Sequence, residues 1–211
     1  MINKILSILY KDFKIEISQS HLFFSVGLYV ISSIYIIYIS YQPTGILSSE
    51  HWISIFWVII LFSSISAVSK SFFQESGNRN YYYYYVLSAD ELIISKLIYN
   101  FLFIVFVTLL TFVFFTFLLG NFIISYSFFL LLLLIGSLSI SNCLTLISAI
   151  GHQVKNNSIL ISILSFPVII PILILLIKLS KIASSEFSWN LVQTDIYLLI
   201  LLNIILIALT K

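Results

Sequence analysis

The residues of this chain best suited to binding a soluble partner lie in one polar stretch between two strongly apolar segments. An aromatic pair stands there beside an amide, a carboxylate and a basic group: Lys70, Phe72, Phe73, Gln74 and Glu75. Aromatic side chains can fill an apolar groove on another protein, and a carboxylate can accept charge-assisted hydrogen bonds at its rim. We therefore predict that residues 70–96 form a loop that couples the chain to a soluble partner.

Five consecutive tyrosines, residues 81–85, lie in the same stretch and leave two interpretations open. They belong either to the docking surface or to an aromatic belt at the level of the lipid headgroups. The stretch closes with Ser88 and, three residues later, Glu91, just ahead of an apolar run. This spacing is typical of a helix start at which both side chains bond free backbone N–H groups. We expect a helix capped by Ser88 to run on into a membrane.

The composition indicates a polytopic membrane protein. The 211 residues are 61% hydrophobic and 9% charged, and the mean hydropathy is +1.14, far from that of soluble domains. A net charge of +2, with Lys and Arg spread among the connectors, argues against nucleic-acid binding. Crossing a bilayer core of about 30 Å takes roughly 20 apolar residues in a helix. Six segments qualify, near residues 21–40, 51–69, 97–119, 127–150, 158–178 and 194–210.

These segments predict an all-α fold, because every backbone polar group in lipid needs a partner within its own segment and the runs are too uniformly apolar for barrel strands. Residues 21–211 would form the six-helix transmembrane domain. Residues 1–20 differ, since apolar residues recur there at steps of three and four beside a polar stripe, which predicts an amphipathic interfacial helix. Its candidate contact residues, to lipid or to a soluble partner, are Lys11, Asp12, Phe13, Lys14 and Glu16.

Two of the predicted spans carry features of their own. In the fourth, Ser137, Ser141 and Thr145 recur at steps of four, a spacing that lets helices approach closely and bond across the contact. Whether the facing helix belongs to this chain or to a partner stays open. In the fifth, Phe166-Pro167 is followed by Pro171, and each proline removes a backbone donor, which predicts a kink that is either static or flexes during transport.

The sequence lacks the residues needed for metal binding, for nucleotide binding and for ion-coupled transport. The single Cys143 and three scattered histidines offer no metal-ligand spacing. The six glycines never occur at the spacing of a phosphate-binding loop, so we predict no enzymatic activity and expect any ATP to be hydrolysed by another subunit. No ionisable residue lies near the middle of a predicted span, which argues against an ion-coupled transporter.

The chain resembles the heme exporter protein B family, the permease subunit of the ABC exporter of cytochrome c maturation. The resemblance covers nearly the whole chain and rests on KDFKIE at residues 11–16, AVSKSFFQE at residues 67–75 and SILSFPVIIP at residues 162–171. It implies an ABC-2-exporter-like bundle in the bacterial inner membrane, whose first cytoplasmic loop docks on an ATPase subunit. It also implies a second membrane protein that handles haem, with haem as a possible substrate of the complex.

Two alternatives stay open beside that function. The chain could be an ABC-2-type permease for another lipophilic substrate, or a membrane scaffold that moves nothing. Neighbouring genes for an ATPase and a haem-handling protein would favour the permease of cytochrome c maturation, whereas an ATPase gene beside unrelated export genes would favour a permease for another substrate. The scaffold would need no ATP turnover.

The basic residues predict the orientation. With the N-terminus in the cytoplasm, eight of the ten are cytoplasmic and only Lys178 and Lys181 lie outside, as the positive-inside rule favours. Six spans then return the C-terminus to the cytoplasm. A cysteine at Ser76 should therefore escape an impermeant thiol reagent in intact cells, whereas one at Gln42, in an outer connector, should react. Labelling at Ser76 at the rate seen for Gln42 would contradict this topology.

Overall fold

All regular elements in the described part of the chain are helices, as the sequence predicts. The computed structural model describes residues 6–11, 14, 21–42, 47–73, 89–151, 157–185 and 188–209. Residues 6–11 form a short helical segment ahead of six long helices. Those six are α1 (His21–Tyr41), α2 (Ser49–Phe73), α3 (Ala89–Leu119), α4 (Tyr126–Gly151), α5 (Asn157–Ala183) and α6 (Trp189–Leu209). Each is long and apolar enough to cross a membrane, which confirms the predicted multi-pass fold.

Four helices, α2, α3, α5 and α6, extend at least four residues beyond one end of their predicted spans. The 31 residues of α3 make a helix of about 46 Å, and a hydrocarbon core of about 30 Å leaves its first turns in the headgroup region. The stretch 70–96 is therefore not a loop throughout, because α2 continues to Phe73 and α3 begins at Ala89. The predicted spans ended where the apolar residues end, but a helix can continue through polar residues outside the hydrocarbon core. Between the two helices remain residues 74–88, outside the described part, and the expected cap at Ser88 lies there.

Helices α2 and α4 occupy the middle of the bundle. In their membrane-length segments 72% and 67% of the residues are buried, against 17% in α1 and 28% in α6. Helix α2 packs against α1, α3, α4 and α5, and α4 packs against α2, α3, α5 and α6. Helix α1 therefore lies on the α2–α3 side and α6 on the α4–α5 side.

Contacts between helix ends fix the direction of each helix. Trp52, near the start of α2, donates its Nε1–H to the carbonyl oxygen of Gly120, just after α3, at 3.1 Å. The backbone N–H groups of Ile124 and Ser125, before α4, both donate to Ala183 O at the end of α5. We call this end of the bundle, where α2, α4 and α6 begin, the distal end. The opposite end, where α1, α3 and α5 begin, is the proximal end.

The distal half of the core is built from aromatic rings. Trp52 and Phe56 of α2, both fully buried, stack at 5.4 Å between ring centroids. Phe115 of α3 meets Trp52 edge-on at 5.2 Å, and Phe129 of α4 lies 5.7 Å from Phe56. Edge and offset contacts of this kind are favourable beyond the area they bury. This cluster joins α2, α3 and α4 at the distal end.

A second indole joins α2 to α4 and α5. Trp57 Nε1 donates to Ser180 Oγ of α5 at 2.9 Å, and both residues are fully buried. The Trp57 ring also lies directly over Gly136 of α4, where a Cβ would stand 2.6 Å from Trp57 Cη2 and 3.1 Å from Leu176 Cδ2. Only a residue without a side chain fits there.

Gly136→Ala should therefore destabilise the bundle. The added methyl group must displace a buried indole that is also held by a hydrogen bond, and overpacking of this kind costs about 1–3 kcal/mol. Gly27→Ala in α1 is the matched control, because nothing lies within 4 Å of the corresponding position. Thermal unfolding of the purified variants in one detergent measures the effect. Equal melting temperatures for the two variants would show that Trp57 does not constrain position 136.

Candidate functional site

The proximal end is the candidate functional site because the predicted coupling residues lie there. Lys70, Phe72 and Phe73 belong to the last turn of α2, while Gln74 and Glu75 lie outside the described residues. Helix α3 begins at Ala89, on the other side of the same connection. We call residues 70–75 the coupling segment. Its described part, residues 70–73, forms the end of α2, one of the two central helices.

The short helical segment at residues 6–11 has a buried side and an exposed side. Ile8 is 8% exposed, whereas Leu6 and Tyr10 are 56% and 70% exposed. Lys11 is half-buried and Lys14 is exposed. Asp12, Phe13 and Glu16 lie outside the described residues. The apolar residues that recur in this part of the sequence at steps of three and four are Ile2, Leu6, Leu9, Phe13 and Ile17, a stripe that includes Leu6 and not Ile8.

The polar stripe of α4 faces α3 of the same chain. Ser137 Oγ lies 3.1 Å from Thr108 Oγ1, and Asn100 Nδ2 donates to Thr145 Oγ1 at 2.9 Å. Ser141 Oγ is 3.4 Å from the carbonyl oxygen of Leu97. All three stripe residues are buried. Hydrogen bonds thus join α3 and α4 along three successive turns.

A second polar contact, which sequence reasoning missed, joins α4 to α6. Asn142 Nδ2 donates to Asn203 Oδ1 at 3.0 Å, and Asn203 Nδ2 donates to Ser139 Oγ at 2.7 Å. All three side chains are buried. The signal in the sequence is an amide within the otherwise apolar sixth span, since polar groups in lipid-exposed helices turn towards neighbouring helices.

Among the described residues of the distal end, α5 makes two ion pairs. Lys178 Nζ is 3.0 Å from Asp195 Oδ1 and 2.8 Å from Oδ2. Lys181 Nζ is 3.3 Å from Glu50 Oε2, with both side chains well exposed, so that pair contributes little. Sequence reasoning placed both lysines outside the membrane but did not pair them. Asp195 is buried, and its pairing ties α6 to α5.

Charged groups are also buried at the start of α3. Glu91 is 8% and Lys96 only 3% exposed, and Lys96 Nζ lies 5.9 Å from the centroid of the Tyr99 ring. The sequence had placed Lys96 at the edge of a solvated loop. Lys96 is instead a buried residue of α3, seven positions after the start of that helix.

The prolines of α5 lie on its outer face. Pro167 and Pro171 are exposed, and the helix is continuous across both. The Phe166 ring packs at 5.9 Å from that of Phe62 in α2. The buried face of the same stretch is formed by Ser165, Ile169 and Ile172. The functional kink stays a prediction.

Comparison with known protein families decides the relationship. The CcmB family, described as CcmB protein, matches residues 3–211. The chain belongs to the CcmB family. This confirms the resemblance to heme exporter protein B that the three sequence segments carry, and the match spans all six helices. No curated protein and no solved structure matches the chain.

Membership of the CcmB family makes this a membrane permease subunit of a kind not known as an enzyme. In the described ranges, no group of three or more His, Cys, Asp or Glu side chains stands ready to hold a metal ion. Among the described residues, the buried polar groups at the proximal end are the Glu91 carboxylate, the Lys96 ammonium group, and hydroxyl and amide side chains.

The Asn100–Thr145 bond should contribute measurably to the packing of α3 on α4. Interhelical hydrogen bonds in membranes average about 0.6 kcal/mol and reach about 1.7 kcal/mol. A double-mutant cycle with Asn100→Leu and Thr145→Val should give a coupling energy in that range, measured by unfolding in mixed micelles. Additive effects of the two substitutions would show that the contact does not hold the two helices together.

Proposed function

We propose that this chain is the permease subunit of an ABC transporter complex that acts in haem export or handling for cytochrome c maturation. The family match over residues 3–211 carries the proposal. The complex would lie in the bacterial inner membrane, with both termini and the proximal end in the cytoplasm. The distribution of Lys and Arg supports this orientation.

Energy would come from a separate cytoplasmic ATPase subunit, because this sequence has no glycine spacing for a phosphate-binding loop. Lys70, Phe72, Phe73, Gln74 and Glu75 would dock on it. Their location supports this role, since α2 runs from this segment straight into the middle of the bundle.

Two attachments to α4 could carry movement of this segment inwards. Helix α2 contacts Gly136 of α4 and bonds Ser180 of α5 through Trp57. Helix α3, on the other side of the connection, bonds α4 through Asn100 and Thr108. A push on the coupling segment would therefore reach α4 through both α2 and α3.

The peripheral helices offer surfaces for the other partners. Phe24, Leu28 and Tyr35 of α1 are more than half exposed, as are Leu191, Tyr197 and Ile204 of α6. Such faces suit lipid, and they suit the haem-handling membrane protein expected beside this subunit.

One observation favours the alternative of another lipophilic substrate. A groove of about 290 Å³ between α1 and α3 is lined by apolar residues, among them Phe24, Gly27, Phe103 and Leu110. A hydrocarbon would fit such a lining, whereas the two carboxylates of haem would find no polar group in it. A scaffold without transport differs from both in needing no ATP turnover.

Replacing Phe72 and Phe73 by Ala should release the ATPase subunit. Buried aromatic anchors contribute about 2 kcal/mol or more each at an interface, so the double variant should retain little ATPase after affinity purification from detergent extracts.

Glu75→Gln keeps the shape and removes the charge, and should keep most of the docking while lowering ATP turnover coupled to cytochrome c maturation.

The matched control for this experiment is Phe117→Ala. Phe117 is 82% exposed near the end of α3, so its loss should leave docking unchanged. If the Phe72→Ala, Phe73→Ala variant is produced at normal abundance and retains as much ATPase as Phe117→Ala, the coupling assignment is wrong.

A further inference from the structure

The core of the bundle changes its chemistry from one half to the other. Around Trp52, Phe56 and Phe115 it consists of aromatic rings. Towards the proximal end, buried polar side chains from α2, α3 and α4 lie among apolar ones such as Val68 and Ile147. We call this set the proximal polar layer, and it consists of Ser64, Ser69, Lys96, Asn100, Thr145 and Ser148, all of them buried.

These residues lie in the proximal part of the bundle, between about 10 and 20 Å beyond the contact of Trp57 with Gly136 along the helices. Helices α2 and α4 run in the same direction and are aligned by the contact of Trp57 with Gly136. Ser69 and Ser148 each lie twelve residues beyond that contact, about 18 Å along the helices. Ser148 is one turn past Thr145, whose hydroxyl accepts the hydrogen bond of Asn100. Three helices therefore bring polar groups into the same part of the bundle, with Ser64 of α2, seven residues beyond the contact, nearest to the middle.

Three hydroxyls of the layer stand apart from the other buried hydroxyls. The Oγ atoms of Ser64, Ser69 and Ser148 have no hydrogen-bond partner among the described residues. Most other buried hydroxyls donate to a carbonyl three or four residues earlier in their own helix, as Ser63, Ser95, Ser137, Ser139 and Thr145 do. A buried hydroxyl without any partner is costly, and polar sites of this kind are where proteins hold ordered water.

The layer lies close to the proximal ends of the helices, from which water can enter. Ser69 lies four residues before the end of α2, and Ser148 three residues before the end of α4, which puts both within about 6 Å of a helix end. Lys96 lies one turn closer to the proximal end than Asn100, and an ammonium group is strongly hydrated.

We propose that the proximal polar layer is a water-binding site filled from the proximal end, while the aromatic half of the core stays dry. Water bonded to Ser69 and Ser148 supplies the missing partners. Hydrogen bonds through water exchange at little cost, so helices can shift there more easily than at the Trp57–Gly136 contact. The link to helix movement rests on the proposed function, whereas the water site does not.

Thiol reactivity tests the site, because alkylthiosulfonates react with the thiolate, which forms in water and not in a dry core. In a Cys143→Ala background, Ser69→Cys and Ser148→Cys are treated in permeabilised membranes with a small, charged methanethiosulfonate. Ser137→Cys is the matched control, a buried serine of the same α4 whose hydroxyl has protein partners. We expect both test cysteines to react at least about tenfold faster than the control. Equal rates would overturn the proposal.

A stability measurement covers the case in which the cysteines disturb the fold. If the Ser148 hydroxyl is dry and unpaired, Ser148→Ala removes a buried polar group and raises the melting temperature. If water satisfies it, the melting temperature stays unchanged or falls, which is the result we expect. A rise would overturn the water site. Neither measurement involves the ATPase, so failure here is distinct from failure of the coupling proposal.

Discussion

The Trp57 ring occupies the space left by Gly136 and bonds Ser180, and the arrangement of the central helices depends on this contact. Lipid tails are as apolar as leucine side chains, so helices in a membrane gain little from hiding apolar surface from one another. They associate through close packing and hydrogen bonds. This contact supplies both, and it ties α2, α4 and α5 together at one level of the bundle.

The contacts between helices differ on the distal and the proximal side of the Trp57–Gly136 contact. Towards the distal end, aromatic rings and the Lys178–Asp195 pair join the helices through direct contacts. Towards the proximal end, buried hydroxyl and amide groups lie among the apolar side chains, and three hydroxyls lack a partner within the described chain. A permease driven from the proximal end would use this difference. The movable half would adjoin the coupling segment, and the Trp57 contact would mark its boundary.

Much of the fold follows from the sequence because bilayer thickness sets a length that hydropathy reveals. All six spans were predicted within a few residues of their apolar parts, and the stripe Ser137, Ser141, Thr145 lies against a helix of this chain. Helix ends outside the hydrocarbon were not predictable in the same way. Helix α2 continues to Phe73 and α3 begins at Ala89, because polar residues can continue a helix outside the hydrocarbon core.

Contacts between distant residues were beyond sequence reasoning. The pairs Trp57–Gly136 and Asn142–Asn203 each join residues more than 60 positions apart, and periodicity along one helix cannot choose among partners. Burial of Lys96 likewise depends on what covers α3. Residue types along the chain predicted the coupling residues, and the structure adds that Lys70, Phe72 and Phe73 belong to the end of a central helix.

The central claim is that this subunit is driven by a separate ATPase. Affinity purification of the chain from native membranes, followed by identification of the co-purifying proteins and an ATP-hydrolysis assay, tests it most directly. We expect a stoichiometric partner that has a phosphate-binding loop and no membrane span, and an assembly that hydrolyses ATP. Purification of an intact, folded chain with membrane partners alone and no ATP turnover would contradict it.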